Sequence, residues 1–199
     1  MASLWARYLS LLETRPIVTK AVTSAALYVV GDTLAQKLDG TLDRSGYDVA
    51  RGRTAVIWGG LIFAPIAHGW YNRVLNPMFP GTSAKSILAK TALDQTLWAL
   101  PANAAYIGCS NLLMGRSVDE AKEVVQTQIK PVMLTNWSVW PAIQLANFRF
   151  IPPPLQLPVI NVAIVGWSCF LAIKANEGNT KQKAKPVAQT DRELNTGKQ

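Results

Sequence analysis

The sequence predicts an all-α fold: a multi-pass transmembrane helical bundle of four to five spans with proline-bent helices. Hydrophobic residues make up 49% of the 199 residues and charged residues only 16%, and the charges crowd into a few stretches. Membrane proteins divide their polarity in this way. Five apolar stretches can be marked, at 17–36, 55–71, 87–109, 131–147 and 155–173, each near the roughly 20 residues that span a hydrocarbon core. The second to fifth each contain a proline, Pro65, Pro101, Pro141 and Pro158. A proline inside a helix removes a backbone hydrogen bond and bends the axis, and in a bilayer neighbouring helices or polar side chains satisfy the freed carbonyls.

Taken in order, residues 1–16 read as an interfacial amphipathic segment. Leu4, Trp5, Tyr8, Leu11 and Leu12 fall at helical spacing, while Arg7, Glu13 and Arg15 break any continuous apolar run. A secretory signal is not expected there, and a mitochondrial presequence is the weaker rival because no processing site is evident. Residues 17–175 form the membrane helical domain. Within it, Gly59 with Gly60, and Ala104 with Gly108, offer small faces that let helix backbones approach. From 176 the chain is polar and aperiodic, and 176–199 reads as a disordered basic tail. None of the five stretches is a clean apolar run, so a hydropathy window is expected to miss one or two spans.

Charge placement orients the bundle. With five spans, residues 37–53, 116–130 and the chain from 174 through the tail share one side and carry thirteen Lys and Arg, against five for the N-terminus and the other two loops. The richer side should face the cytosol or the mitochondrial matrix. The excess of 20 Lys and Arg over 12 Asp and Glu does not suggest direct nucleic-acid binding, because the basic residues lie between apolar stretches rather than on one soluble face. Only Cys109 and Cys169 occur, which gives neither a disulfide framework nor a metal cluster. His68 is the only histidine, so a multi-histidine metal site is excluded and any triad would depend on this imidazole. With Trp70 and Tyr71 beside it, an interfacial hydrogen-bonding role fits it better. No phosphate-cradling or dinucleotide motif is present. An enzyme is not expected, and neither a metal nor a cofactor is implied.

Polar residues inside the apolar stretches are the candidate pore-lining or polar-network set. At about 100° per residue, Asn136, Trp140, Gln144 and Asn147 share a stripe of roughly 80° on one helix face. An amide in hydrocarbon is costly unless bonded, so this face should look at protein or water. Helix-to-helix hydrogen bonding and a solute-lining role both bury it. Asp32 with Gln36, and Lys90 with Asp94, stand four apart on shared faces, and the second pair could form an ion pair within its own helix. Asp32 and Asp94 could instead cap bent helices or pair with Lys20 and Lys90. His68, Gln95, next to Asp94, and Asn161 complete the set.

The run from Asn136 through Trp137, Ser138, Val139, Trp140, Pro141, Ala142, Ile143, Gln144, Leu145 and Ala146 to Asn147 and Phe148 closely resembles the hallmark of the Mpv-seventeen and twenty-two-kilodalton peroxisomal membrane protein family. Trp5, Tyr8, Pro16, Gly31-Asp32 with Gln36, Pro65, His68, Trp70, Tyr71, Lys90, Asp94-Gln95, Asn161 and Trp167 support the resemblance, which covers about residues 4 to 174. Two departures stand out: the family's arginine after the hallmark is replaced by Pro152-Pro153-Pro154-Leu155-Gln156, and the proline after Asp-Gln is displaced to Pro101. The resemblance implies a mitochondrial inner membrane protein, with the peroxisomal membrane as the alternative. It also implies a channel-like or solute-permeation role in mitochondrial homeostasis, stress response and mitochondrial DNA maintenance. A non-conducting membrane scaffold is the competing role. The expected partners are the lipid bilayer, small solutes or ions, and a second copy of the chain in a homo-oligomer.

Overall fold

The computed structural model describes residues 3–183, which are helical throughout their regular structure. A short helix α1 (Leu4–Thr14) starts at Ser3, whose hydroxyl accepts the Ala6 amide at 3.1 Å. Arg15 breaks it from α2 (Pro16–Leu38), where Pro16 sits in the first turn, the helical position that needs no amide proton. The short α3 (Thr41–Ser45) leads to α4 (Val49–Val56), which is capped by Asp48 accepting the amides of Ala50 and Arg51. From there the chain stays helical through α5 (Ala64–Gly69) and α6 (Asn76–Met78), joined by the π-helical stretches Ile57–Phe63 and Trp70–Leu75. A third rod comprises α7 (Ala84–Leu93), the π-helical Asp94–Trp98 and α8 (Ala99–Leu113), and Gly115 closes it in the left-handed region at φ 86°. The fourth rod is α9 (Val118–Phe150) and the fifth α10 (Pro153–Lys183).

Each π-helical stretch is followed within two or three residues by a proline: Pro65, Pro77 and Pro101. A proline supplies no amide to the turn before it, and a widened turn is one way a helix absorbs that mismatch without ending. The expected bends in the second and third stretches therefore take the form of π-turns. Pro131, Pro141 and Pro158 lie inside α9 and α10. The capping box of Ser117 and Glu120 starts α9 well before the apolar stretch expected from 131, so its first turns, with Asp119, Glu120, Lys122 and Glu123, lengthen the rod with polar sequence. Likewise α10 continues to Lys183, through the first residues assigned above to the tail, and residues 184–199 lie outside the described residues.

Burial departs from that of a water-soluble bundle in its polar interior and aliphatic surface. Lys20, Ser24, Gln36, Lys90, Asp94, Gln144, Asn147, Gln156 and Asn161 are buried, whereas Val18, Val22, Leu61, Leu88, Leu97, Leu134, Phe150 and Val162 are exposed. Water would penalise so much exposed aliphatic surface, and a lipid surround would not. Among the described residues, α2 is the one helix long and apolar enough by length and composition to cross a bilayer. On α1, Leu4, Trp5 and Leu11 are exposed and Leu12 is buried, and Tyr8 reaches Thr23 of α2 at 3.1 Å.

Packing centres on Trp58, Phe63, Tyr71, Trp140 and Phe148, together with Leu75, Leu157 and Ile160. Helix α2 lies against α10 and against the stretch Ile57–Phe63, and α9 lies against α7 and α8. The glycine pair performs the expected close approach. A β-carbon on Gly59 would stand 2.6 Å from the Tyr28 ring, and one on Gly60 would stand 3.0 Å from the Ala25 side chain. Gly108 faces Val125 of α9 at a looser 3.6 Å. Alanine normally favours a helix over glycine, but at Gly59 the clash with the root of a ring outweighs that gain. We expect Gly59→Ala to destabilise the detergent-solubilised protein by roughly 1–3 kcal/mol, read as a lower unfolding temperature. Gly69→Ala, where a β-carbon meets nothing within 4 Å, should leave the temperature unchanged or higher.

Candidate functional site

The expected polar stripe of α9 is buried and meets the third rod. Asp94 and Gln95, neighbours in sequence, both turn inward from the π-helical stretch Asp94–Trp98. The Asp94 carboxylate accepts three side-chain N–H bonds: from Trp70 Nε1 at 3.0 Å, from Gln95 Nε2 at 2.9 Å and from Gln144 Nε2 at 2.9 Å. Gln144 also reaches the Tyr71 hydroxyl at 2.6 Å, and its carbonyl accepts from Asn147 Nδ2 at 3.3 Å. Farther along α9, Asn136 Nδ2 donates to Gln95 Oε1 at 3.1 Å and accepts from Asn103 of α8 at 3.4 Å. Trp137 Nε1 donates to the Gln95 carbonyl at 3.2 Å. One network thus joins the second, third and fourth rods.

The expected ion pair between Lys90 and Asp94 is absent. Lys90 Nζ instead donates to Asn76 Oδ1 at 3.0 Å and to the Gly81 carbonyl at 3.3 Å, and it stands 5.7 Å from the Phe148 ring centre. Asn76 in turn donates to Gln156 of α10 at 3.1 Å. The Asp94 amide still bonds the Lys90 carbonyl as in a regular helix, so the two residues stand one turn apart while their side chains take separate partners. Nor does Lys20 pair with Asp32. Its ammonium lies 3.3 Å from His68 Nδ1, which also receives Asn72 Nδ2 at 3.2 Å, so His68 bonds to α2 as well as to its own helix. Asp32 belongs to a separate cluster at the far end of α2. There Gln36 Nε2 donates to Asp32 at 2.8 Å, and Arg51 bridges Asp32 at 3.2 Å and Asp39 at 2.8 Å. The Gln36 amide also clasps the Asp48 backbone, accepting its N–H at 2.7 Å and donating to its carbonyl at 3.1 Å. Asn161 donates to Ser24 and ties α10 to α2.

A cavity of about 250 Å³ opens beside the central network. Of the candidate residues, Asp94, Gln95, Asn136, Trp140 and Gln144 line it, and Asp32, Gln36, His68, Lys90, Asn147 and Asn161 do not. Trp70 and Tyr71, expected as interfacial aromatics, are partners of the network. Spacing does not single out Asn103, Arg51, Asn76, Gln156 and Ser24. An amide at 103 within an apolar stretch was the one visible signal among these. The others depend on which helices pack together.

An all-helical chain that hides carboxylate, ammonium and amide groups inside an aliphatic exterior is a membrane-embedded bundle. Comparison with known proteins narrows the class. Residues 111–172 match the model of the Mpv17 / PMP22 family. Across 166 residues, 83% of this chain and 95% of the relative, the chain is 36% identical to Protein sym-1 of Neurospora crassa. It is 35% identical over 181 residues to Protein SYM1 of Saccharomyces cerevisiae, covering 88% and 92%. Against the mitochondrial inner membrane protein Mpv17 of Danio rerio it is 30% identical over 177 residues, covering 89% and 99%. No solved structure matches. The chain belongs to the Mpv17 / PMP22 family and is a protein of the mitochondrial inner membrane.

The Arg51 cluster gives this end of the molecule an acid-sensitive element. Partial burial pushes the Asp39 carboxyl up, but hydrogen bonds from Thr41 and the Arg51 guanidinium outweigh it and hold the group below the usual carboxylate range. A carboxyl depressed in the folded state contributes stability that is complete above its unfolded value of about 3.9 and is lost as pH falls through the lower folded value. Asp39→Asn should therefore reduce stability near neutral pH, and the loss relative to wild type should shrink below about pH 4. Thermal unfolding in detergent across this range measures it.

Proposed function

We propose that the chain forms a channel-like permeation pathway for small solutes or ions across the mitochondrial inner membrane, as a bundle of four to five spans. One observation carries this reading: Asn136, Trp140 and Gln144 of the α9 stripe and the Asp94–Gln95 turn line a cavity inside the bundle instead of being packed shut. Five continuous helical rods support the span count. Each has at least the roughly 20 residues a bilayer requires, even though polar side chains lower their hydropathy. Family membership supports a role in mitochondrial homeostasis, stress response and mitochondrial DNA maintenance. We also propose that the role is not catalytic. The His68 imidazole is engaged by Lys20 and Asn72, neither of which is a nucleophile of the Ser or Cys type. The lipid bilayer and a second copy of the chain are the further partners in this reading.

A scaffold that conducts nothing is the second reading. It is favoured by the mutual pairing of the stripe, in which Gln144, Asn136, Gln95 and Asp94 bond chiefly to one another. Planar-bilayer recording of the purified protein separates the two. Permeation predicts conductance in the wild type and a shift of its cation-to-anion preference in Asp94→Asn, with the reversal potential in a salt gradient as the readout. Silence of well-folded wild-type protein across pH and redox conditions, together with loss of assembly in Asp94→Asn, would establish the scaffold instead.

A further inference from the structure

We propose that the central cavity is a binding site for a small organic cation carrying a quaternary or protonated amine. The proposal deepens the permeation reading, on whose cavity it rests, by naming a class of solute. Of the residues lining the cavity, eight are aromatic and one, Asp94, is formally charged, and no Lys, Arg or His is among them. Among the described residues Asp94 makes no ion pair, and its three N–H donors, Trp70, Gln95 and Gln144, are neutral. A carboxylate without a counter-cation, set within aromatic walls, attracts positive charge twice over. It does so by its own charge and by the negative faces of the rings, which act most strongly where water is excluded.

The walls themselves are ordered for contact. Trp58 lies 5.4 Å from Tyr106 and 6.4 Å from Phe63, Phe63 lies 6.3 Å from Trp98, and Trp140 meets Trp167 edge-on at 6.0 Å. A second and independent feature is the Trp140 indole N–H. Trp140 lines the cavity, is 8% exposed, and its buried Nε1 has no hydrogen-bond partner among the described residues. Buried donors are rarely left unpaired, so an acceptor oxygen on the occupant would complete it. The cavity, at about 250 Å³, falls below the roughly 300–1,000 Å³ of sites for drug-sized molecules, which restricts the occupant to a small one. A compact ammonium with a hydroxyl or carbonyl a few bonds away satisfies every one of these features.

Choline is a suitable probe, and its carbon isostere 3,3-dimethylbutan-1-ol has the same shape without the charge. Binding to the purified full chain in phosphatidylglycerol nanodiscs, followed by tryptophan fluorescence and calorimetry, is expected to be saturable for choline and about tenfold or more weaker for the isostere. Asp94→Asn and Tyr106→Leu should each weaken choline about tenfold. Trp140→Phe, which keeps the wall and removes the N–H, should weaken choline severalfold and leave tetramethylammonium unchanged. Repeating the titration in phosphatidylcholine discs distinguishes the source of the ammonium. Loss of free-choline binding there identifies a lipid headgroup as the occupant, and its persistence identifies a free solute. Equal binding of choline and the isostere, absence of saturable choline binding, or undiminished binding in folded Asp94→Asn would overturn the proposal. If Asp94→Asn does not fold, the isostere comparison on wild type and Tyr106→Leu decide. Because binding is read without flux, a site that binds but does not conduct overturns the permeation reading alone.

Discussion

Among the described residues none offers the Asp94 carboxylate a cation, and the arrangement of the central helices follows from how it is solvated. Three neutral N–H groups from the second, third and fourth rods converge on its two oxygens. Hydrogen bonds to a charged group are stronger than those between neutral groups, and a missing partner leaves a buried charge exposed to a medium that cannot stabilise it. Each donor is therefore held to a particular position. Trp70 fixes the second rod in rotation, Gln144 fixes α9 in register, and Gln95 stays close because it is the next residue along the chain. The amides beyond them, Asn136, Asn103 and Asn147, extend this constraint along α9 and into α8.

That convergence occurs where the backbone departs from a regular α-helix. The π-helical stretch Asp94–Trp98 widens the turn, and Pro101 follows shortly after it. Similar widened turns precede Pro65 and Pro77. The last of them, Trp70–Leu75, carries the two residues of the second rod, Trp70 and Tyr71, that meet the Asp94 network. Two of the three irregular turns thus carry residues of the polar network.

The other buried charges are handled separately and locally. Lys90 is surrounded by the Asn76 carbonyl oxygen, the Gly81 carbonyl and the face of Phe148, while Lys20 is held at His68. At the opposite end of α2, Arg51 bridges Asp32 and Asp39. Lysine and aspartate in the same bundle thus avoid direct neutralisation at its centre. Asp94 is the single formally charged residue lining the cavity.

By itself the sequence determined the helical class, the amphipathic start, the apolar stretches and the identity of the polar residues that must be sheltered. These follow from period, length and the cost of amides in hydrocarbon, all of which are properties of one segment at a time. The stripe of Asn136, Trp140, Gln144 and Asn147 is the plainest case, since helical spacing alone places the four on one face and the structure buries all four. Tertiary structure decided the pairings. Spacing put Lys90 and Asp94 one turn apart, but partners on other segments took each side chain: Asn76 meets Lys90, and Asp94 meets Trp70 and Gln144, residues 24 and 50 positions away in sequence. Arg51 reached Asp32 only because α4 folds back along α2. Which side chains meet across helices depends on their relative rotation and depth, quantities that exist only after the helices have packed, and the cavity beside Asp94 is a product of the same packing.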